Sequence, residues 1–198
     1  MANIVLETLR SETRTLHRQT ELALDLRRST SSLTEYASLL ERLLGFYEPL
    51  EMRLLEDPNS NVRAAAGFEA RRKSPALRAD LAILNPGLVE VPRCTYVPAL
   101  ESQLSQVGAW YVVEGATRGG RVIADHLGRQ LQLHRHNGAR FFDCYGEGRD
   151  RKWDEFCEFL AAVPASGSGQ VTAGAVAVFS AMRRWLTEQR GPAGSGAA

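Results

Sequence analysis

A chain of 198 residues, 44% apolar and 24% charged, can bury one sizeable core and lies far from the composition at which chains stay disordered. Twenty-four Lys and Arg against twenty-three Asp and Glu leave a formal charge of +1, which gives no global electrostatic reason to expect a nucleic-acid partner. Charges follow the first few apolar residues of MANIVLETLRSETR, and no run reaches the ~18 apolar residues that cross a bilayer; a cytoplasmic protein with no membrane association is expected.

Alternating apolar/polar stretches bounded by turn residues are absent, so the spacing predicts an all-α, single-domain chain over 1–190. Leu6, Leu9, Thr13, Leu16, Thr20 and Ala23 recur every three or four residues and predict a first helix over 3–26. Ser29 to Ser32 break it. A second helix starts at Thr34 and carries Leu39, Leu40, Leu43, Leu44, Tyr47, Leu50 and Leu54, with Gly45 and Pro49 as places for a bend; Asp57-Pro58-Asn59-Ser60 ends it. Residues 61–73, rich in Ala and Arg, read as a short helix. Ser74-Pro75 opens another to Leu84, and Asn85-Pro86-Gly87 begins a connector through Pro92 and Pro98. Residues 99–131 then read as one long helix, kinked by its glycines. Two shorter helices over 138–145 and 149–163, a flexible Pro164 to Gly169 connector and a last helix ending near Arg190 complete the chain. The tail, 191–198, is expected to be disordered.

Three cysteines, Cys94, Cys144 and Cys157, form no CxxC pair, which suits a reducing compartment and neither a disulfide framework nor a zinc knuckle. No base is paired with them in sequence. Among the four histidines, His134 and His136 sit in a polar stretch and read as solvated. His126 lies two helical turns beyond Gly119, ~10 Å along the axis, too far to serve one site with it. His17 adjoins the apolar stripe of the first helix with Glu21 one turn on. It is either a metal ligand whose other ring nitrogen a carboxylate holds, or a core or surface histidine. None of the four has a glutamate three residues before it, so the pattern of a di-iron bundle is missing. Zinc-hydrolase, nucleophile-elbow, P-loop and dinucleotide-binding motifs are missing too.

The most informative stretch is Trp110 to Arg121. Each glycine in a helix interior costs about 1 kcal/mol relative to alanine, so Gly108, Gly115, Gly119 and Gly120 need a reason. Gly115 and Gly119 are one turn apart and bare one strip of backbone. That strip accepts either a closely crossing helix or a flat ligand.

Leu9-Arg10-x-x-Thr13-Arg14-x-Leu16-His17-x-Gln19-x-Glu21, followed about a hundred residues later by Glu114-Gly115-x-x-x-Gly119-Gly120-Arg121, resembles the heme oxygenase family, and most closely its bacterial, biliverdin-producing, phytochrome-associated branch. Leu44-Gly45-Phe46-Tyr47-x-Pro49-Leu50 and Arg140-Phe141-Phe142 add to the likeness, which spans about 5–160. The resemblance implies a heme oxygenase-like helical fold whose long helix lies over the distal face of heme b. It implies His17 as the proximal iron ligand, Glu21 as its hydrogen-bonding partner, and Arg10 and Arg14 facing the heme propionates. Tyr111, Gly115, Ala116, Gly119 and Gly120 would line the distal side, with Gly115 and Gly119 central to catalysis. A neutral imidazole leaves iron able to bind O2, and backbone on the distal side favours oxygen transfer to the porphyrin itself.

The activity implied is cleavage of heme to biliverdin, CO and ferrous iron, using O2 and electrons from an external ferredoxin or flavoprotein reductase. A biliverdin-accepting phytochrome is the implied downstream partner. The chain departs from animal members at Ala116, where they carry an aspartate, and at Asp154 and Glu158, where an ungapped match places their basic heme-facing residues. A non-enzymatic heme-binding protein on the same fold is the alternative.

Overall fold

The computed structural model describes residues 3–56 and 67–189, and these are all-α, with no strand among them. The elements are α1 (Ile4–Leu24), α2 (Leu26–Ser29), α3 (Leu33–Leu55), α4 (Ser74–Leu84), α5 (Gln103–Leu131), α6 (Arg149–Ala161) and α7 (Ser168–Glu188), with single 3-10 turns at Phe68–Arg71, Gly146–Gly148 and Ala165–Gly167. No helix among the described residues is long and apolar enough to cross a membrane. The expected tail at 191–198, the helix end at 57–60 and the first six residues of the short helix expected at 61–73 lie outside the described residues; the rest of that segment holds only the 3-10 turn at Phe68–Arg71.

The apolar stripes do what their spacing predicts. Leu9, Leu39, Leu40, Leu44, Leu50 and Leu54 are all essentially fully buried. α1 and α5 both pack along α7 rather than on each other, and α3 pairs with α4. The two long helices therefore stand as walls on a common floor. Asn3 caps α1 by accepting from the Leu6 amide, and Ser32 caps α3 by accepting from that of Glu35. At the far end of α1 the chain turns through Asp25 in the left-handed region, φ 46°, a conformation that Asp tolerates better than most residues. α3 runs uninterrupted through Gly45 and Pro49.

Three boundaries differ from the sequence expectation, each for a local reason. The long helix starts at Gln103 and not Ala99, because Leu100 has φ 52° and Ser102 and Ser105 form a reciprocal capping box. Residues 138–145 form turns, not a helix. Gly138 sits at φ 127°, the Asp80 carboxylate accepts from the amides of Arg140 and Phe141 at 2.8 Å each, and the Arg135 guanidinium donates to the carbonyls of Asp143 and Cys144. Side chains thus satisfy backbone groups that a helix would have paired internally. The Pro164–Gly169 connector is a 3-10 turn that runs directly into α7.

Asp80 is 1% exposed, and burial pushes its carboxyl up from 3.8 to about 6 against the opposing pull of the two amides and Arg140. The folded site favours the protonated form. Its contribution to stability is fully present below the unfolded value and is lost as pH rises through about 6. Wild-type unfolding free energy should accordingly fall relative to Asp80→Asn by on the order of 2–3 kcal/mol between pH 4 and 7, superimposed on a pH-independent offset from the lost acceptor. Urea titrations at four pH values measure this; parallel curves would mean that Asp80 ionises at its ordinary value.

Candidate functional site

A cavity of about 530 Å³ opens between α1 and α5, within the size range of small-molecule and cofactor sites. Val112, Gly115, Ala116, Gly119, Val122 and Ile123 form the α5 wall, and Arg10, His17, Thr20, Glu21 and Leu24 the α1 wall. Leu43 and Tyr47 of α3, Phe141 and Phe142 of the 138–145 turns, Trp153 of α6, and Phe179 and Met182 of α7 close the remainder. The lining is mostly aliphatic and aromatic. Its charged side chains are confined to Arg10, Arg118 and Glu21, with the His17 imidazole beside them.

The glycines of α5 divide by what lies beside them. A Cβ at Gly108 would collide with the Val171 carbonyl and Ala175 amide of α7, and one at Gly120 with the Phe142 carbonyl. At Gly115 and Gly119 it would meet nothing within 4 Å. No helix crosses closely at Gly115 and Gly119, which present bare backbone to the cavity; the close helix crossing is at Gly108.

His17 is half-exposed, not part of the core. Its side chain is 54% accessible, with the ring edge-on to Phe179 at 5.7 Å between centroids. Nδ1 lies 3.7 Å from Glu21 Oε2, longer than a formed hydrogen bond. The buried α1 positions are Val5, Leu6, Leu9, Thr13, Thr20 and Ala23, with Leu16 at the boundary. Burial raises the Tyr111 pKa against the opposing effects of Thr13 and Arg10. Tyr47 is likewise pushed up, first by burial and then by Glu51. Both phenols therefore stay protonated.

Arg14 is exposed and outside the lining, and Gly120 is buried against Phe142. Asp154 and Glu158 are exposed on α6 and do not line the cavity. The cations near them are engaged elsewhere, Arg149 with Asp143 and both Arg151 and Lys152 with Glu155. The second basic residue at the cavity is instead Arg118, whose guanidinium lies over the Trp153 ring at 5.4 Å. Sequence reasoning missed it, along with Trp153, Phe179 and Met182. The only available signal was that Arg118 falls between the two open glycines.

Burial pushes the thiols of Cys94, Cys144 and Cys157 up, which disfavours the nucleophilic thiolate. His134 and His136 are exposed, as expected. No group of three or more His, Cys, Asp or Glu among the described residues is placed to hold a metal ion.

Behind the open glycines α5 is fixed by ions. The Glu114 carboxylate, fully buried, accepts from Arg71 at 2.7 Å, from Lys73 at 2.8 Å and from the Tyr145 hydroxyl at 2.7 Å. Arg71 and Lys73 are themselves 4% and 0% exposed. Arg71 also reaches the Lys152 carbonyl and Glu155. Glu51 of α3 holds the adjoining backbone by accepting from the Lys73 and Ser74 amides. The face of α5 turned away from the cavity is anchored to α3, α6 and the 67–74 segment at once.

The heme oxygenase family model matches residues 4–188. A heme oxygenase of Xanthomonas campestris pv. campestris is 32% identical over 164 residues, 79% of this chain and 92% of that protein. Among solved structures, NO- and CO-bound heme oxygenase from Neisseria meningitidis superposes with a TM-score of 0.79 at 20% identity, covering 96% of this chain and 94% of that one. Heme oxygenase from Leptospira interrogans gives 0.74 at 21%, covering 95% and 100%. Heme oxygenase-1 of the cyanobacterium Synechocystis, solved with heme, gives 0.69 at 14%, covering 96% and 93%. At those identities the structural likeness speaks for the fold.

Proposed function

The chain belongs to the heme oxygenase family, and from that premise we propose that it cleaves heme to biliverdin, CO and ferrous iron with O2 and electrons from an external ferredoxin or flavoprotein reductase. The observation that carries this reading is the pairing, across one apolar cavity, of a single accessible imidazole on α1 with two side-chain-free positions on α5. One imidazole is too few ligands for a protein-built metal centre, and suits a metal that arrives with its own equatorial nitrogens. Heme would supply the iron that binds O2 and the porphyrin that is oxidised.

The protein's own contribution is positioning. Glu21 stands 3.7 Å from His17 Nδ1 and would leave Nε2 for the metal, on the side where second partners of metal-bound histidines stand. Arg10 and Arg118 each offer a guanidinium with parallel N–H groups suited to a propionate carboxylate. Arg14 would take a propionate only from outside the present lining, and Gly120 serves the site by seating α5 on Phe142. Gly115, Ala116 and Gly119 keep the α5 wall thin and free of acid–base side chains, so that protons would come through ordered water and backbone. The apolar floor excludes bulk solvent. Delivery of the product to a phytochrome is part of the same proposal.

Hemin titration tests it. A Soret shift should saturate at one hemin per chain with ~1 μM affinity or tighter, as expected when mostly apolar surface is buried, and ascorbate in air should then convert the complex to biliverdin. Saturable binding with decay back to ferric heme would identify a non-enzymatic heme-binding protein; unsaturable absorbance removes the reading altogether. Gly119→Leu sharpens the test. The side chain enters open space, so the fold should gain a few tenths of a kcal/mol or more of helix propensity, while hemin affinity and turnover fall at least tenfold. A variant with normal biliverdin yield would show that nothing lies against that strip.

A further inference from the structure

We propose that His126 is a positioning residue that latches the far end of the cavity, tying α5 to the α1–α2 corner through Thr30 and thereby setting how fast the bound ring escapes. The inference rests on the reading of this cavity as a heme site.

His126 follows Gly119 by seven residues, about 700° of helical rotation, so it projects from the same face of α5 as the open glycines, ~10 Å further along. Its Nε2 lies 2.9 Å from Thr30 Oγ1. Thr30 is 2% exposed, and its single hydroxyl proton goes to the Leu26 carbonyl at 2.6 Å. Thr30 Oγ1 is then the acceptor and His126 Nε2–H the donor. The corner that receives this bond is fixed from the other side, because Arg42 of α3 donates to Ser29 Oγ while Ser29 donates to the Leu24 carbonyl.

Tyr111 lines the cavity at the opposite end. Tyr111 and His126 are fifteen residues apart, ~22 Å along α5, with Gly115 and Gly119 between them. Since α1 and α5 pack on α7 and not on each other, the His126–Thr30 bond bridges the walls of the slot at the His126 end. The Tyr111 end is flanked by Trp153 and by the Arg118 guanidinium, which would hold the charged edge of the ring. The His126 end is shallow, bordered by Val122 at 72% exposure, and is the end from which a ring can leave.

The experiment measures hemin transfer from the full-length ferric complex to excess apomyoglobin, in wild type, His126→Leu, Thr30→Val, the double variant and His126→Gln. Loss of one such hydrogen bond corresponds to about five- to tenfold faster release. His126→Leu and Thr30→Val should each show it with the ferric spectrum unchanged. The double variant should be no faster than either single, and His126→Gln, which keeps an N–H donor, should recover part of the wild-type rate. A residue that merely supports the fold would lower the melting temperature without changing release; unchanged rates in both single variants, or multiplicative effects in the double, overturn the latch. If wild-type protein does not saturate with hemin, the function reading fails on its own, and amide exchange in the ligand-free protein decides the latch. Ser29 and Thr30 amides, bonded to the Asp25 and Leu26 carbonyls, should then exchange faster in His126→Leu than in wild type; equal exchange overturns it.

Discussion

His17→Ala is expected to leave the fold nearly untouched and abolish turnover. The side chain is half-exposed, makes no hydrogen bond shorter than its 3.7 Å approach to Glu21, and touches the core only through the edge of Phe179. Its removal should cost no more than about 0.5 kcal/mol, the range for surface substitutions. Under the proposed function the same change removes the protein's bond to iron. Hemin should still enter the apolar slot and keep its guanidinium contacts, but more weakly, with water or nothing at the proximal position. The ferric spectrum should lose its histidine-ligated form and turnover should fall at least 100-fold, because oxygen activation depends on the axial donor. Added imidazole fits the space vacated beside Glu21 and should restore a substantial part of both. An unaltered ferric spectrum with no response to imidazole would place the ligand elsewhere and break the link between His17 and the function.

Glu114→Ala should have the opposite profile, a large loss of stability arising outside the cavity. Truncation leaves buried Lys73 without a counter-charge, removes the buried partner of Arg71, and leaves the Tyr145 hydroxyl without its acceptor. Removing one member of a buried ionic cluster costs about 3–5 kcal/mol, most of it the penalty of the charge left behind. Against total stabilities of about 5–15 kcal/mol that is a severe loss, readable as a fall in urea midpoint with little change in slope. Adding Lys73→Met should recover part of it, since Arg71 keeps Glu155 and the Lys152 carbonyl. A double variant weakened by the sum of the two single losses would contradict the account.

These two residues mark what the sequence makes legible. His17 is recognisable because its signal is local: a histidine beside an apolar stripe with a carboxylate one turn away. The helices were readable for the same reason, since a periodic stripe reports a buried face whatever covers it. Glu114 falls in the motif, yet nothing near it marks it as buried and triply bonded. Its partners lie 43, 41 and 31 residues away, and Arg71 and Lys73 sit in an Ala- and Arg-rich stretch that reads as a short helix. Charges near the core look like charges at the surface until the chain is folded. The 138–145 turns were missed through the same non-locality. Their backbone is satisfied by Asp80, sixty residues earlier, so local propensity alone would have wound them into a helix.

The division of the α5 glycines also implies two distinct mutational fingerprints within one helix. Alanine at Gly108 or Gly120 drives a methyl into a neighbouring carbonyl, so such variants should be depleted from any pool sorted for cellular abundance. Alanine at Gly115 or Gly119 adds a methyl to open space and favours the helix, so those variants should be as abundant as wild type or more so. They would disappear only under selection for what the cavity does. Invariance at all four positions in a family alignment would look uniform, yet half of it would record the need to fold and half the need to leave room.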